Sequence, residues 1–325
     1  MKVEVEDWRL QKAFAYARER GLPYYNYQLR EKYLEFGKIQ NSDYENGIVG
    51  DEVLQLLHGV GLAWSYFPHH WEAQVAKMKR PIDVFNDDEL LMKALASRIK
   101  WGGKVEQDGY MTDANLRKAI RTASGVQAVS NFRPVAAASI YHKYGGDGVV
   151  WDMSSGYGGR LLGALACKKV NKYIGTDPST KTFEGLKDIA KDFSYMKKNI
   201  DLHNQGSEDF VPQEPVDLCF TSPPYFDTEK YCDELTQSYK KFSTQQEWLN
   251  GFFKKTIQNC YECLKDNGFL IINIANVKSY KDLEQDAFTT ITEQGFFLHD
   301  KIRLRLSSYL GGFKHEPVFI FKKNL

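Results

Sequence analysis

The sequence predicts an α/β fold built on a mostly parallel sheet, preceded by a mainly helical N-terminal domain. Three observations support this prediction. Residues 148–152 form a short apolar stretch that runs into a glycine-rich turn and then a helical pattern. A second stretch, residues 172–176, ends at Asp177, and a third, residues 216–220, is soon followed by two successive prolines. Buried strands that alternate with helical segments are typical of parallel sheets with helices on both faces.

The first 130 residues are rich in aromatic side chains, and their hydrophobic periodicity is mostly helical, as in residues 89–99. We predict that residues 1–130 form a separate domain and that residues 131–325 form the α/β domain. Basic residues recur along the helical segments of the N-terminal part; they either line a DNA groove or lie on ordinary solvated helix faces. These residues are Lys77, Lys79, Arg80, Lys93, Arg98, Lys100, Lys104, Arg117, Lys118 and Arg121.

The first predicted strand, the glycine-rich turn and the helix after it have the layout of a nucleotide-type cofactor site. Asp152 ends the strand, and Ser154, Gly156 and Gly158 lie in the turn. Glycine allows a tight turn and a close approach of the backbone to a ligand. We therefore predict that these four residues bind a cofactor.

An acid at the end of the second predicted strand suits the ribose of such a cofactor. The carboxylate of Asp177 can accept both hydroxyl groups of a ribose; the alternative is that it caps the helix that Pro178 and Ser179 open. The order of the strands and the spacing favour the ribose interpretation, and we predict that Asp177 and the adjacent Pro178 bind the cofactor.

Ser222, Pro223, Pro224 and Tyr225 follow the third strand at the edge of the sheet where open α/β sheets bind ligands. Two prolines cannot continue a strand, because neither has an N–H group to donate. The serine hydroxyl and the first proline carbonyl can accept the N–H groups of a planar exocyclic amine, and the tyrosine can stack on the ring that carries it. The alternative is that the prolines only terminate the strand.

From about residue 131 to the C-terminus, the chain resembles the S-adenosylmethionine-dependent amino-methyltransferases of DNA. The shared pattern is an acid–x–x–x–Gly–x–Gly turn, a ribose-binding acid and a Ser-Pro-Pro-Tyr tetrapeptide. The resemblance implies a class I methyltransferase-like three-layer sandwich with a seven-stranded, mostly parallel sheet and one antiparallel strand. It also implies S-adenosyl-L-methionine as cofactor.

The sequence departs from the family pattern at Met153, where the family often has proline, and at Gly159, where it often has threonine. The resemblance also implies an acidic or polar residue near the adenine of the cofactor, after residues 200–203, which lie between the second and third stretches described above. Ser207, Glu208 and Asp209 all match this position, and we take the two acids as candidates.

Arg133 precedes a predicted helix that leads to the first strand. Family members carry a cofactor-contacting segment of this kind, so Arg133 is a candidate partner for the methionine carboxylate. The alternative is an ordinary surface arginine before a helix start.

The C-terminal part continues the α/β pattern. Residues 248–264 and 282–294 are predicted helices, and residues 269–274, 296–306 and 318–321 are predicted strands. The last two strands have a short connection and must pair antiparallel.

Composition sets further expectations. The chain has 325 residues, a net charge of +1 and five cysteines without disulfide spacing, which indicates a reduced, cytoplasmic setting. Nothing resembles a membrane span or a signal peptide. Cys260 and Cys263 lie in a helical pattern without a second pair, so we predict core packing and no metal site.

The predicted function is methyl transfer from S-adenosylmethionine to an exocyclic amine of a flipped DNA base. Serine in the first motif position favours N4 of cytosine over N6 of adenine in the resembled family. The predicted partner is DNA, and a restriction partner is unknown. The alternatives are methylation of RNA or of a protein amide, and a non-catalytic cofactor-binding subunit of a DNA-modification complex.

Overall fold

The structure is a computed structural model that describes residues 8–146, 148–309 and 311–323. The chain divides into two compact units. The first comprises the described residues up to Asn26, Pro68–Ser130 and Glu229–Cys232; the second comprises Tyr27–Phe67, Asn131–Thr228 and the chain from Asp233 onward. Residues 27–67, which lie within the predicted N-terminal domain, are therefore grouped with the α/β part.

The helices of both units are numbered in chain order. They are α1 (Trp8–Arg20), α2 (Leu29–Gln40), α3 (Val60–Ser65), α4 (Pro81–Asn86), α5 (Asp88–Lys100), α6 (Asp113–Arg121), α7 (Pro134–Tyr144), α8 (Gly159–Ala166), α9 (Thr180–Asp192), α10 (Ser238–Lys241), α11 (Gln245–Trp248), α12 (Lys254–Cys263) and α13 (Leu283–Glu293).

The strands are numbered in the same way. They are β1 (Ile48–Val49), β2 (Glu52–Val53), β3 (Gln74–Val75), β4 (Val149–Asp152), β5 (Lys172–Thr176), β6 (Asn199–His203), β7 (Val216–Thr221), β8 (Glu229–Lys230), β9 (Leu264–Asn273), β10 (Phe296–Tyr309) and β11 (Gly312–Lys323).

The first unit is mainly helical. Helices α1, α4, α5 and α6 surround a core that includes Leu10, Trp71, Leu91 and Leu116. The short strands β3 and β8 pair antiparallel in this unit. β8 comes from the segment that follows the Ser-Pro-Pro-Tyr motif in the chain, so this segment contributes to the helical unit.

A single sheet organises the second unit. Its strand order is β1-β2-β10-β11-β9-β7-β4-β5-β6. β6, β5, β4, β7 and β9 are mutually parallel, and β11 is antiparallel to both β9 and β10. This confirms the predicted mostly parallel sheet with a late reversed strand.

The strand count differs from the prediction. Among the described residues the sheet has nine strands instead of seven. The two additional strands, β1 and β2, come from residues 48–53, and β2 pairs parallel to β10. The sequence pattern does not reveal them, because they are two residues long and a hydrophobic period needs a longer stretch.

Side chains of β7 alternate between the two faces of the sheet, and both faces are covered by helices. Cys219 packs in a cluster with Ile257 of α12 and Ala287 of α13. The next residue, Phe220, contacts Tyr141 of α7, with the ring centroids 5.6 Å apart. The unit is therefore a three-layer α/β structure.

Two helices begin where their sequences predict. Pro134 is the first residue of α7. The N–H group at this position has no partner within a helix, so proline, which lacks it, costs no hydrogen bond there. The Ser179 hydroxyl accepts the N–H of Thr182 at 3.4 Å and so caps α9. Both helices adjoin residues predicted to bind the cofactor, because α7 leads to β4, which ends at Asp152, and α9 follows Asp177.

Within the described ranges, no helix has the length and apolar character needed to cross a membrane.

Candidate functional site

The carboxyl ends of β4, β5 and β7 meet at the centre of the sheet. The strand order reverses at β4, which lies between β5 and β7. Parallel sheets bind ligands outside the carboxyl ends of their strands at such a reversal. The Ser155 N–H donates to the Thr176 carbonyl at 2.9 Å, and the Thr221 hydroxyl donates to the Asp152 carboxylate at 3.2 Å. These bonds hold the three strand ends together.

The glycine-rich turn between β4 and α8 uses backbone conformations that favour glycine. Gly156 and Gly158 have φ values of 54° and 67°. At the next position a Cβ atom on Gly159 would lie 1.8 Å from the carbonyl oxygen of Phe132. The close approach of these two backbone segments therefore explains why glycine stands where the resembled family often has threonine.

Asp152 is fully buried, and protein groups hold its carboxylate. Arg160 Nε donates to it at 2.9 Å, the Tyr173 hydroxyl at 2.7 Å and the Ser154 N–H at 3.3 Å. Arg160 also donates to the Ser154 carbonyl. The arginine therefore links the end of β4 to the first residues of the glycine-rich turn. Direct contact between Asp152 and a cofactor stays a prediction.

Sequence reasoning did not single out Arg160 as a functional residue. A signal was present, because Arg160 is the one charged residue of the otherwise apolar helix α8 and directly follows the glycines. A buried arginine needs an anionic partner, and the nearest acid before the turn is Asp152.

Asp177 lies at the end of β5 and connects the glycine-rich turn to the start of α9. One carboxylate oxygen accepts the Gly156 N–H at 2.9 Å, and the other accepts the Ser179 N–H at 3.0 Å. Burial raises the pKa of this carboxyl to about 6, although the two backbone donors oppose the rise. The bond to Ser179 corresponds to the helix-start alternative, and it leaves further lone pairs for a ligand.

The Ser-Pro-Pro-Tyr motif leaves the sheet directly after β7. Pro223 is buried, whereas Ser222, Pro224 and Tyr225 are half-buried. The chain then turns sharply: the Phe226 N–H donates to the Pro224 carbonyl at 3.0 Å, and Phe226 has a φ of 54°. The motif is thus held in one path between a buried strand and a tight turn.

The Tyr225 hydroxyl is bonded to the C-terminal part. It donates to the main-chain carbonyl of Asn273 at 3.2 Å, and the Asn273 side-chain amide in turn lies 3.5 Å from a Glu316 carboxylate oxygen. The Arg133 guanidinium lies close enough to Glu316 to affect its pKa, and it donates to the Arg305 main-chain carbonyl. Partial burial lowers the pKa of the half-buried Arg133 side chain. Its pairing with a cofactor carboxylate stays a prediction.

The candidate residues for the adenine end differ in exposure. Glu208 is buried and Asp209 exposed, and Lys241 Nζ lies 2.5 Å from Glu208 and 2.7 Å from Asp209. The Ser207 hydroxyl is bonded to that of Thr256 at 2.9 Å. These contacts do not decide between the two acids, so their cofactor role stays a prediction.

Residues after the motif also reach the segment that carries the ribose acid. The Thr236 hydroxyl donates to the Pro178 carbonyl at 2.9 Å, and the Glu234 carboxylate accepts the Thr180 N–H at 3.0 Å. Contact of Pro178 with a cofactor stays a prediction.

The predicted cofactor suits the residues at the three strand ends. The backbone of the turn is open at Gly156, where an added Cβ atom would meet only the Ser154 carbonyl oxygen at 3.8 Å, whereas one on Gly158 would lie 2.5 Å from Ile189. The buried Asp177 carboxylate is an acceptor placed beside that turn. A ribose-containing ligand requires accessible backbone and an acceptor for its hydroxyl groups, and the glycine-rich turn and Asp177 supply these.

The arginines of the predicted DNA groove are engaged within the first unit. Arg80 pairs with Asp83, Arg98 bonds Asn115, Arg117 bonds the Pro23 carbonyl, and Arg121 bonds the Val129 carbonyl. These bonds are intramolecular and give the arginines a structural use. DNA binding by this unit therefore stays a prediction.

Cys260 and Cys263 pack in the core as predicted, together with Cys219. The sulfur atoms of Cys219 and Cys263 are 3.8 Å apart, and burial raises the pKa of the Cys219 thiol. The part of the chain that the structure describes has no group of three or more potential metal ligands.

Comparison with known proteins finds a family model that matches the C-terminal third of the chain. Residues 216–324 match a family model described as DNA methylase. The match begins at the first residue of β7 and includes the Ser-Pro-Pro-Tyr motif. It confirms the resemblance to amino-methyltransferases of the N4 and N6 type, and it supports S-adenosyl-L-methionine as the cofactor.

One curated relative is the Type II methyltransferase M.BglI of Bacillus subtilis, which is 31% identical over 101 residues. These residues are 30% of this chain and 26% of the relative, so the chain matches about a quarter of the relative's length.

Similar solved structures include the methyltransferase of Pyrococcus furiosus (16% identity, TM-score 0.41, covering 70% of this chain and 98% of that one). Another is the N-methyltransferase NodS of Bradyrhizobium japonicum (10% identity, TM-score 0.41, covering 58% and 93%).

Proposed function

We propose that this protein transfers a methyl group from S-adenosyl-L-methionine to an exocyclic amino group of a DNA base. The observation that carries the proposal is the position of Ser222–Tyr225 at the end of β7, beside the glycine-rich turn and Asp177. An amine acceptor site and a cofactor site thus share the reversal point of one sheet.

The chain's own residues supply binding and orientation. The turn that contains Gly156 and Gly158 holds the cofactor, and the Asp177 carboxylate accepts its ribose hydroxyls. Arg133 pairs with its carboxylate, and Glu208 or Asp209 contacts its adenine. When bound, the cofactor supplies an electrophilic sulfonium methyl group.

The motif prepares the nucleophile. The lone pair of an exocyclic amine is delocalised into its ring, so the nitrogen must rehybridise before it can attack. The Ser222 hydroxyl and the Pro223 carbonyl accept its two N–H groups and favour that change. The Tyr225 ring stacks on the base, a contact that contributes ~1–3 kcal/mol.

A base inside a duplex cannot reach this motif. The target base therefore rotates out of the stack at a cost of a few kcal/mol, which stacking and hydrogen bonding offset. We propose N4 of cytosine as the target atom in preference to N6 of adenine, because a neutral serine occupies the first motif position.

The transfer needs no covalent intermediate on the enzyme. Burial raises the pKa values of the Cys219 and Cys260 thiols, which keeps them protonated and poorly nucleophilic. This separates the proposed chemistry from methylation at carbon 5 of cytosine, which requires a covalent adduct.

The test is a transfer assay with radiolabelled S-adenosylmethionine on unmethylated DNA and on RNA, followed by digestion and mass spectrometry. We expect N4-methylcytosine in DNA, absent with Ser222→Ala and present with Ser243→Ala, a serine outside the site. Methylated RNA without methylated DNA would select the RNA alternative. Cofactor binding without turnover on any substrate would select a non-catalytic subunit.

A further inference from the structure

Four protein groups donate to the carboxylate of Asp152, which is fully buried at the end of β4. One oxygen accepts the Arg160 Nε–H group at 2.9 Å and the Tyr173 hydroxyl at 2.7 Å. The other accepts the Thr221 hydroxyl at 3.2 Å and the Ser154 N–H group at 3.3 Å. An ionised carboxylate offers about four acceptor positions, so the protein itself occupies those of Asp152.

The acid that follows β5 is held differently. Asp177 accepts two backbone N–H groups, one on each oxygen of its carboxylate. Each oxygen therefore keeps an acceptor position for a ribose hydroxyl. In the described part of the chain, these two acids beside the glycine-rich turn thus differ in role: Asp177 can bind a ligand, and Asp152 is committed to the protein.

The donors to Asp152 come from both parts of the candidate site. Ser154 lies in the glycine-rich turn, and Arg160 is the second residue of α8, which follows that turn. Thr221 is the last residue of β7 and directly precedes Ser222, the first residue of the Ser-Pro-Pro-Tyr motif. One buried carboxylate therefore links the segment proposed to hold the cofactor to the segment proposed to hold the target base.

Arg160 is buried together with its partner. Its side chain is 5% exposed, and the ring centroids of Phe132 and Phe220 lie 5.5 Å and 5.9 Å from its guanidinium carbon. A buried ion pair is often no more stable than a neutral pair of similar volume, whereas one buried charge without its partner is strongly unfavourable. Changing either residue alone should therefore displace the turn, and changing both to amides should largely preserve it.

We propose that Asp152 and Arg160 are positioning residues that fix the glycine-rich turn relative to Ser222, and that Asp152 makes no contact with the cofactor. This role replaces the direct contact that the sequence predicts for Asp152. The inference rests on the proposed function, because it concerns how the methyl group is placed against the target amine.

The first test measures cofactor affinity by calorimetry, which does not depend on turnover. Asp152→Asn and Arg160→Gln should each bind S-adenosylmethionine about tenfold more weakly, because each leaves a buried charge unpaired. The double variant should bind within about threefold of wild type, since its two amides carry no charge and can still form hydrogen bonds. If Asp152 contacted the cofactor directly, the double variant would bind at least as weakly as Asp152→Asn.

Asp217→Asn is the matched control for this comparison. Asp217 is a buried acid near the amino end of β7, and its carboxylate pairs with Lys265 Nζ at 2.9 Å. This change also leaves a cation without its acid, but at the end of the strand opposite to Thr221. It should leave cofactor affinity unchanged.

The second test measures methyl transfer in variants of Thr221. Thr221→Val keeps the shape of the side chain but removes the hydroxyl that joins β7 to Asp152. It should lower kcat about tenfold, while the dissociation constant of the cofactor stays within about twofold. Thr221→Ser keeps the hydroxyl and should retain most of kcat, whereas a merely structural role would change stability without this split. The control Thr292→Val removes a hydroxyl bonded to the Phe288 carbonyl at 3.1 Å and should leave kcat unchanged.

Two results would overturn the proposal. They are a double variant that binds the cofactor as weakly as a tenfold loss requires, and a Thr221→Val variant with the wild-type kcat. The first comparison needs only the double variant and wild type, so a single variant that does not fold removes neither test. If the wild-type protein binds the cofactor but methylates no DNA, the proposed function fails, and the calorimetric comparison still decides the role of Asp152.

Discussion

Cofactor affinity should depend on pH through Asp177. Burial raises the pKa of this carboxyl to about 6 in the protein without cofactor. The charged form is the better acceptor for two ribose hydroxyls, because hydrogen bonds to ionised groups are roughly twice as strong as neutral ones. Protonation below pH 6 should therefore weaken binding, whereas binding should be nearly constant above pH 7.

The magnitude follows from the pKa. With a value of about 6, nearly all of the carboxyl is ionised at pH 7.5 and roughly a tenth at pH 5. If only the ionised form binds well, the dissociation constant should rise about tenfold over that range, equivalent to ~1.4 kcal/mol. Binding should also release a proton near pH 5.5, because the cofactor favours the ionised form.

The effect on folding has the opposite sign. The folded-state pKa of about 6 lies above the ordinary value of 3.8. Asp177 therefore contributes its full stability below about pH 4, and this contribution is lost as the pH rises through 6. Cofactor binding and folding of the free protein thus respond to the same group in opposite directions.

Isothermal titration calorimetry from pH 5 to pH 7.5, in buffers of different ionisation enthalpy, measures both the affinity and the proton release. Asp177→Asn should bind about tenfold more weakly at pH 7.5. Its affinity should change with pH only as the titration of the ligand itself requires. Asp188→Asn, which changes an exposed acid of α9, should keep the wild-type profile. A wild-type profile that matches that of Asp177→Asn would refute the role of Asp177.

Three further predictions concern the motif, the glycine-rich turn and the target atom. Ser222→Ala and Tyr225→Ala should bind the cofactor with nearly wild-type affinity in calorimetry but lose most methyl transfer; a double variant with the wild-type rate would place the active site elsewhere. Gly159→Thr should destabilise the fold in urea denaturation by about 3 kcal/mol or more, because its Cβ atom would lie 1.8 Å from the Phe132 carbonyl. The control Gly37→Ala, with no atom within 4 Å of the added Cβ, should gain roughly 0.5–1 kcal/mol; equal stability of Gly159→Thr and wild type would contradict the packing argument. Finally, mass spectrometry of the methylated DNA should show an amino-methylated base, and 5-methylcytosine would overturn the mechanism.

Local sequence was sufficient for the strands and turns that carry the candidate site. The path of the chain at Pro223 and Pro224 follows from the missing N–H group of proline, which is a property of the residue itself. The glycine-rich turn between β4 and α8 is equally local, since Gly156 and Gly158 adopt φ values that other residues rarely adopt. The late antiparallel strand was also predictable, because two adjacent strands joined by a short connection can pair only antiparallel.

Partners that are distant in sequence were decided by the tertiary structure. The pairing of β2 with β10 places Glu52 opposite Arg303, and no local pattern marks a two-residue strand as part of a sheet. The hydrogen bond from Tyr225 to the Asn273 carbonyl depends in the same way on the pairing of β7 with β9. The sequence by itself determined which chemical groups stand at the strand ends, because those groups follow from residue type and local backbone preference. Only the tertiary structure decided which buried charges and hydroxyls hold them, because that depends on strand order and register across the whole sheet.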